Sequence, residues 1–278
     1  MTNEPAPTNE PASAYAAELA VALELAVRAG ELQMERYERV EQIDYKSARD
    51  VVTEVDHLSE ALILDGIRVA FPGDALLAEE TGEHDAAAGQ TASSGIGRVW
   101  VVDPLDGTIN YANGIPMFCV SIALVIDGRP VVGVVHDPTR GESFGATVDG
   151  PATLNGSEIR ASTKARLSDF VVSLSLAGRN VVGRGKGIRR AIRVSRSMGS
   201  AALALVYVAN GRFDAFVQQG GLSTWDIAAA GLIAERAGAT VTDLDGASWF
   251  EITAPTKSIG VLATPAGHHA DMLARVRG

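Results

Sequence analysis

The sequence predicts a mixed α/β protein, with an α+β first part followed by an α/β second part. Three observations carry this. Apolar β-type runs and helical patterns both occur along the chain. A strong hairpin signal, Asp127-Gly128, joins two apolar strands before residue 160. Beyond that point, strand and helix patterns alternate more strictly. The 278 residues are 46% hydrophobic, enough for one large domain or two joined lobes.

The elements follow in order. Residues 1–13 repeat TNEPA and predict a disordered tail. Residues 14–160 form the predicted N-terminal α+β subdomain and 161–278 the C-terminal α/β subdomain. A long helical pattern starts near a capping Ser13, with Leu19, Leu23, Ala26 and Val27 on one face. KSARDVVTEVD reads as an extended piece entering a helix near Thr53. ALLAEE is a short strand ending in two acids, and residues 84–97 are a surface loop. VWVVDPLD is an apolar strand ending in Asp103 and Asp106. FCVSIALVIDGRPVVGVVHDP is a strand pair, and Asn155-Gly156 marks a further turn. In the second part, FVVSLSL reads as a strand, a helix lies within GKGIRRAIRVSRS, and SAALALVYVANG, FDAFVQ, WDIAAAGLIAERAGA, TVTDL, SIGVLAT and HHADMLARVR continue the run of helices and strands. The glycine-rich, basic stretch 178–187 reads as a mobile surface loop.

Composition excludes several functions. Acids outnumber bases 34 to 24, a net charge of −10, which argues against a general nucleic-acid surface. The single cysteine, Cys119, permits no disulfide within the chain and reads as buried packing. The N-terminus lacks the basic and apolar regions of a signal peptide, and no apolar run spans a bilayer. The expected location is cytoplasmic.

The chemistry lies in the acids. Glu79, Asp103, Asp106 and Asp226 stand at strand ends or a helix start, where α/β folds open their crevices. Carboxylates gathered in one crevice repel unless cations join them. The histidines show no zinc spacing, and an oxygen-only donor set suits Mg²⁺. Pro104 restricts the backbone as the strand ends, and the Leu105 carbonyl lies between the two acids. Gly107 admits close backbone approach, and a helix starting near Thr108 would place free N–H groups beside the cations. That combination suits a phosphate ester.

DVVTEVD, AEE, DPLDGTINY and WDIAAAGLIAERAGA together resemble the ordered motifs of the inositol monophosphatase family, from about residue 14 to 275. The resemblance implies a layered α-β-α-β-α architecture and a Mg²⁺-dependent, lithium-sensitive phosphatase, expected to form a homodimer, with two or three Mg²⁺ per active site. Glu79, Asp103 and the Leu105 carbonyl resemble the ligands of one metal. Asp103, Asp106 and Asp226 resemble those of a second, and Glu79 borders a weaker third. Thr108 and Asp56, with Glu79 near, resemble the group that activates the attacking water. The N–H groups of Gly107 and Thr108 would hold the phosphate. Gly199, Ser200 and Ala201 match the segment lining the polyol pocket, while Asp106 and Asp226 also face substrate.

One position departs from the pattern. Seven residues before Asp226, inositol-specific members carry a glutamate, and here Gln219 stands instead. The expected substrate is a small polyol or sugar phosphate such as inositol 1-phosphate. Histidinol phosphate, fructose 1,6-bisphosphate and a nucleotide 3′-phosphate are the alternatives within the class. A regulatory protein binding RNA or a transcription complex is the alternative outside it.

Overall fold

The computed structural model describes residues 13–39, 43–47, 50–84, 97–176, 181–254 and 256–278. The chain opens with helix α1 (Ala16–Arg36), preceded by Ser13, whose hydroxyl donates to Asp149 Oδ1 at 2.6 Å. Ser13 also accepts from the Tyr15 N–H at 3.1 Å, so it bonds in the turn before the helix rather than at the cap itself. The rest of the expected tail, 1–12, lies outside the described residues. Strands β1 (Ile43–Ser47) and β2 (Asp50–Thr53) form an antiparallel pair. Helix α2 (Glu54–Ala70) starts directly after it, capped by Thr53.

Next come β3 (Ala75–Ala78), β4 (Gly82–His84), β5 (Arg98–Asp106) and the short helix α3 (Thr108–Ala112). The sequence pattern did not single out β4, and the surface loop expected at 84–97 lies largely outside the described residues. Strands β6 (Cys119–Ile126) and β7 (Arg129–Asp137) meet at Asp127-Gly128, where φ is 48° and 76°, the left-handed pair that a two-residue hairpin requires. Strands β8 (Glu142–Thr147), β9 (Thr153–Leu154) and β10 (Ser157–Glu158) complete an eight-stranded sheet, ordered β10-β9-β8-β7-β6-β5-β3-β4.

The second sheet is built from β11 (Val171–Ser175), β12 (Val194–Arg196), β13 (Ala215–Leu222), β14 (Ala239–Thr242) and β15 (Ile259–Pro265). Its order is β12-β11-β13-β15-β14. Helices α4 (Val181–Ala191), α5 (Ala201–Ala209), α6 (Thr224–Arg236) and α7 (His269–Arg277) accompany it. Here the structure corrects one expectation. Most of the stretch 178–187 is the first part of α4, because Gly185, Ile188 and Ile192 turn inward at helical spacing and bury against the second sheet's outer face.

The layers run α1 and α2, the first sheet, α5 and α6, the second sheet, then α4 and α7. This is the α-β-α-β-α order. The middle layer explains the composition of α5 and α6, which are apolar on nearly every side because sheets cover both faces. Small residues let that layer approach closely: a Cβ at Gly133 of β7 would lie 2.6 Å from the Ala229 carbonyl of α6. No helix among the described residues is long and apolar enough to cross a membrane.

Candidate active site

The site is built around a bulge in β5. On a regular strand, residues three apart point to opposite faces. Asp103 pairs with Ser121 and Asp106 with Cys119, so β5 spends three residues where β6 spends two. The extra residue returns Asp106 to the side of Asp103. Pro104, with no N–H to donate, falls inside the bulge, where its carbonyl accepts from Gln33 Nε2 at 2.7 Å. Leu105 N–H closes back onto Asp103 Oδ1 at 3.0 Å. This is the physical answer to why an apolar strand ends in D-P-L-D.

Two helix starts supply the other acids by the same device. Thr53-x-x-Asp56 and Ser223-x-x-Asp226 each place a carboxylate at the third helical position, reaching back to the capping backbone. Asp56 Oδ2 accepts from Thr53 N–H at 2.8 Å and its hydroxyl at 2.6 Å. Asp226 Oδ2 accepts from Ser223 N–H at 2.5 Å. Each cap uses one carboxylate oxygen and leaves the other for the site. Asp56 Oδ1 takes the Thr108 hydroxyl at 2.9 Å, and the same hydroxyl lies 3.0 Å from the Leu105 carbonyl. Gly107 caps α3 at φ 103°, a conformation that a side chain would strain.

Asp103, Asp106 and Asp226 offer ligand atoms that all lie within 4.8 Å of one another. Glu79, following β3, lines the same cavity with Leu105, Gly107 and Thr108. Burial, then the charge of Glu79, holds the Asp103 carboxyl well above the usual range. Burial, then Asp106, pushes Asp226 up to about 7. Burial, with a smaller push from the charge of Glu80, raises Asp56 to about 6, against the hydrogen bonds from Thr53 and Thr108. Asp103 Oδ2 is buried without a hydrogen-bond partner. An orphaned carboxylate oxygen facing two more carboxylates is a costly arrangement that a hard divalent cation relieves, and the all-oxygen donor set fits one.

Asp106 is held from the other half of the chain. Its Oδ2 accepts from Ser200 Oγ at 2.6 Å and Ala202 N–H at 2.7 Å, and Oδ1 accepts from Ala201 N–H at 3.2 Å. Ser200 is also the cap of α5, accepting from Leu203 N–H. Cys119 lies beneath, its Sγ 3.8 Å from Asp106 Oδ2. The Ser200 hydroxyl is therefore engaged with a carboxylate, a role the sequence motif did not disclose. Gly199 and Ala201 line an adjoining cavity of about 250 Å³ with Ser173, Ser175, Ser197 and Gln218.

Gln219 is not brought to this cleft. It borders a separate cavity with Asp243, Asp245 and Ser258. Strand alternation is the reason: Phe216 and Gln218 face the middle layer and the cleft, while Val217 and Gln219 take the other face of β13. Gln218 is thus the amide at the cleft, found only once the face of β13 is known. Lys257 was also missed. It stands in a loop between β14 and β15 and reaches the cavity only through the fold.

The profile of the inositol monophosphatase family matches residues 15–277. The chain belongs to this family. A protein of Pseudomonas aeruginosa named Nus factor SuhB is 38% identical over 239 residues, covering 80% of this chain and 83% of that protein. A Thermotoga maritima protein named fructose-1,6-bisphosphatase/inositol-1-monophosphatase is 39% identical over 223 residues, covering 79% of this chain and 82% of that one. The crystal structure of the extragenic suppressor protein SuhB from Bartonella henselae superposes with a TM-score of 0.84 at 30% identity, covering 94% of this chain and 98% of that one. The layered fold read from the motifs is the fold of these family members.

Proposed function

We propose that the chain is a Mg²⁺-dependent phosphomonoesterase acting on a small polyol or sugar phosphate. The observation that carries this is the Asp103–Asp106–Asp226 cluster, with its orphaned Asp103 Oδ2, beside the Thr108–Asp56 pair. Glu79, Asp103, Asp106, Asp226 and the Leu105 carbonyl would hold the cations. Bound Mg²⁺ would supply Lewis-acid polarisation of the phosphoryl oxygens and lower the pKa of water.

The chain's own residues do the rest. Thr108 orients a water toward phosphorus and passes its proton to Asp56, whose pKa of about 6 suits a general base near neutral pH. The water oxygen bonds to phosphorus as the ester P–O bond breaks, and the leaving alcohol takes a proton from solvent. As the cap and first residue of α3, Gly107 and Thr108 have N–H groups with no acceptor inside the helix, available to phosphate oxygens. Beyond the shared Asp106 and Asp226, the adjoining cavity offers only hydroxyl and amide groups, from Ser173, Ser175, Ser197, Ser200 and Gln218, which supports a neutral polyol leaving group. At about 250 Å³ it falls below the roughly 300–1,000 Å³ typical of drug-sized ligands, so it suits one small ring better than a nucleotide. The homodimer, the cytoplasmic location and the division near residue 160 belong to the same proposal.

The test is phosphate release from inositol 1-phosphate, histidinol phosphate, fructose 1,6-bisphosphate, adenosine 3′,5′-bisphosphate and glycerol 2-phosphate. Each is run with Mg²⁺, with EDTA, and with Mg²⁺ plus Li⁺. Turnover that needs Mg²⁺ and falls with Li⁺ is the expected result. A second reading, a factor acting in transcription, rests on the name of the Pseudomonas relative. A folded protein that binds Mg²⁺ yet hydrolyses none of the panel would favour it.

A further inference from the structure

The cavity that gathers four carboxylates, Glu79, Asp103, Asp106 and Asp226, contains one cation among its described lining residues, Lys257. Its placement is built rather than incidental. Lys257 adopts a left-handed backbone, φ 58°, uncommon for a residue with a side chain. Main-chain bonds hold it on both sides: its N–H donates to Ser223 Oγ at 3.0 Å, and its carbonyl accepts from Gly221 N–H at 3.0 Å. Gly221 and Ser223 themselves line the cavity, so the loop is fastened to the wall that it serves. The lysine's charge also reaches Asp226, where it opposes the effect of burial.

A cation here works against divalent metal binding, since like charges repel. Without metal it offsets part of the carboxylate charge, and once divalent cations neutralise those carboxylates the same charge is available to an anion. Lys257 lines the carboxylate cavity and not the adjoining serine-lined one, so the anion belongs at the phosphate end rather than on the leaving group. We propose that Lys257 is a phosphate-recognition residue, its ammonium donating to a non-bridging oxygen of the substrate phosphate and of the phosphate product. The inference rests on the phosphomonoesterase reading, and neither the motifs nor the ligand set contains this residue.

The experiment compares wild type, Lys257→Met, Lys257→Asn and Lys257→Arg. Asparagine tolerates the left-handed backbone while removing the charge, so it separates charge from strain. Calorimetric titration measures inorganic phosphate binding in saturating Mg²⁺ and, separately, Mg²⁺ binding without phosphate. Steady-state kinetics give KM and kcat. Loss of one charge-assisted hydrogen bond should weaken phosphate binding and raise KM by roughly ten- to a hundredfold in the Met and Asn variants. Mg²⁺ binding should hold or tighten a few-fold, and Arg should restore phosphate affinity to within a few-fold. Unchanged phosphate affinity in an active Lys257→Met enzyme overturns the assignment. So does a parallel loss of Mg²⁺ and phosphate binding in both neutral variants, which marks a structural role. If the wild type neither binds phosphate nor hydrolyses any ester, the phosphomonoesterase reading fails together with this one.

Discussion

Replacing Ser200 by alanine tests how the site is held. The Ser200 hydroxyl donates to Asp106 Oδ2 at 2.6 Å and accepts from Leu203 N–H at 3.3 Å as the cap of α5. Alanine removes both. A hydrogen bond to a charged group contributes about 1.5–3 kcal/mol and a helix cap about 0.5–2 kcal/mol. One hydroxyl serves both bonds, so the losses are not independent, and about 2–4 kcal/mol is the expected cost. For a chain of this size, that is roughly 3–7 °C in melting temperature. The remaining Ala202 N–H, at 2.7 Å, keeps Asp106 partly anchored, so the fold survives. Groups that orient a ligand typically govern metal affinity by about 10–100-fold, and Mg²⁺ binding should weaken on that scale. Scanning calorimetry with and without Mg²⁺, and titration of Mg²⁺ into the free protein, read the two effects separately. Ser200→Thr keeps the hydroxyl and should restore most of both. The reasoning is refuted if Ser200→Ala binds Mg²⁺ like the wild type and melts within a degree of it.

Three further perturbations follow from the geometry. Asp103→Asn should abolish turnover and remove most of the stabilisation by Mg²⁺, yet raise the melting temperature of the metal-free protein. Burial and the charges of Glu79, Asp106 and Asp226 all oppose ionisation of that carboxyl, and thermal melts in EDTA and in Mg²⁺ check both signs. Asp56 should give kcat/KM an acid limb near pH 6, flattened in Asp56→Asn. Its folded pKa of about 6 lies above the unfolded 3.8, so its contribution to stability is full below pH 3.8 and is lost as pH rises through 6. About 3 kcal/mol is at stake at 1.36 kcal/mol per unit, measurable as the pH-dependent difference in unfolding free energy between wild type and Asp56→Asn. Gly107→Ala would set a Cβ 2.8 Å from the Met117 carbonyl at a φ of 103°. Backbone strain alone costs about 1–3 kcal/mol, so a lower melting temperature should accompany the loss of activity.

Much of this site was legible because its chemistry is local in sequence. D-P-L-D, the helix entry near Thr53 and the helix start at Asp226 mark the acids from a few neighbouring residues, while the bulge and the two capping boxes that aim them inward are seen only in the structure. The layered architecture followed from the family motifs more than from periodicity. α5 is apolar on nearly all sides, and only the second sheet shows why. What stayed hidden depends on facing and on long-range contact. Gln218 and Gln219 are adjacent amides, and nothing local tells which one strand β13 turns toward the cleft. The glycine-rich stretch at 178–187 reads as a loop by composition, but Ile188 and Ile192 bury its helix against the sheet. The bond from Ser200 to Asp106 spans 94 residues, and Lys257 reaches the cavity through a similar detour.

The bond between Asp106 and α5 also makes the site a gauge of assembly. Asp106 is rooted in the first sheet, yet its carboxylate is steered by the first turn of a helix that packs between both sheets. A slide of a fraction of an ångström in that helix would change the bite offered to a cation long before any strand came apart. With cations held as proposed, ion affinity is tied to correct seating of the middle layer. On the proposed reading, a partly docked chain would be ion-poor and silent while still showing native secondary structure.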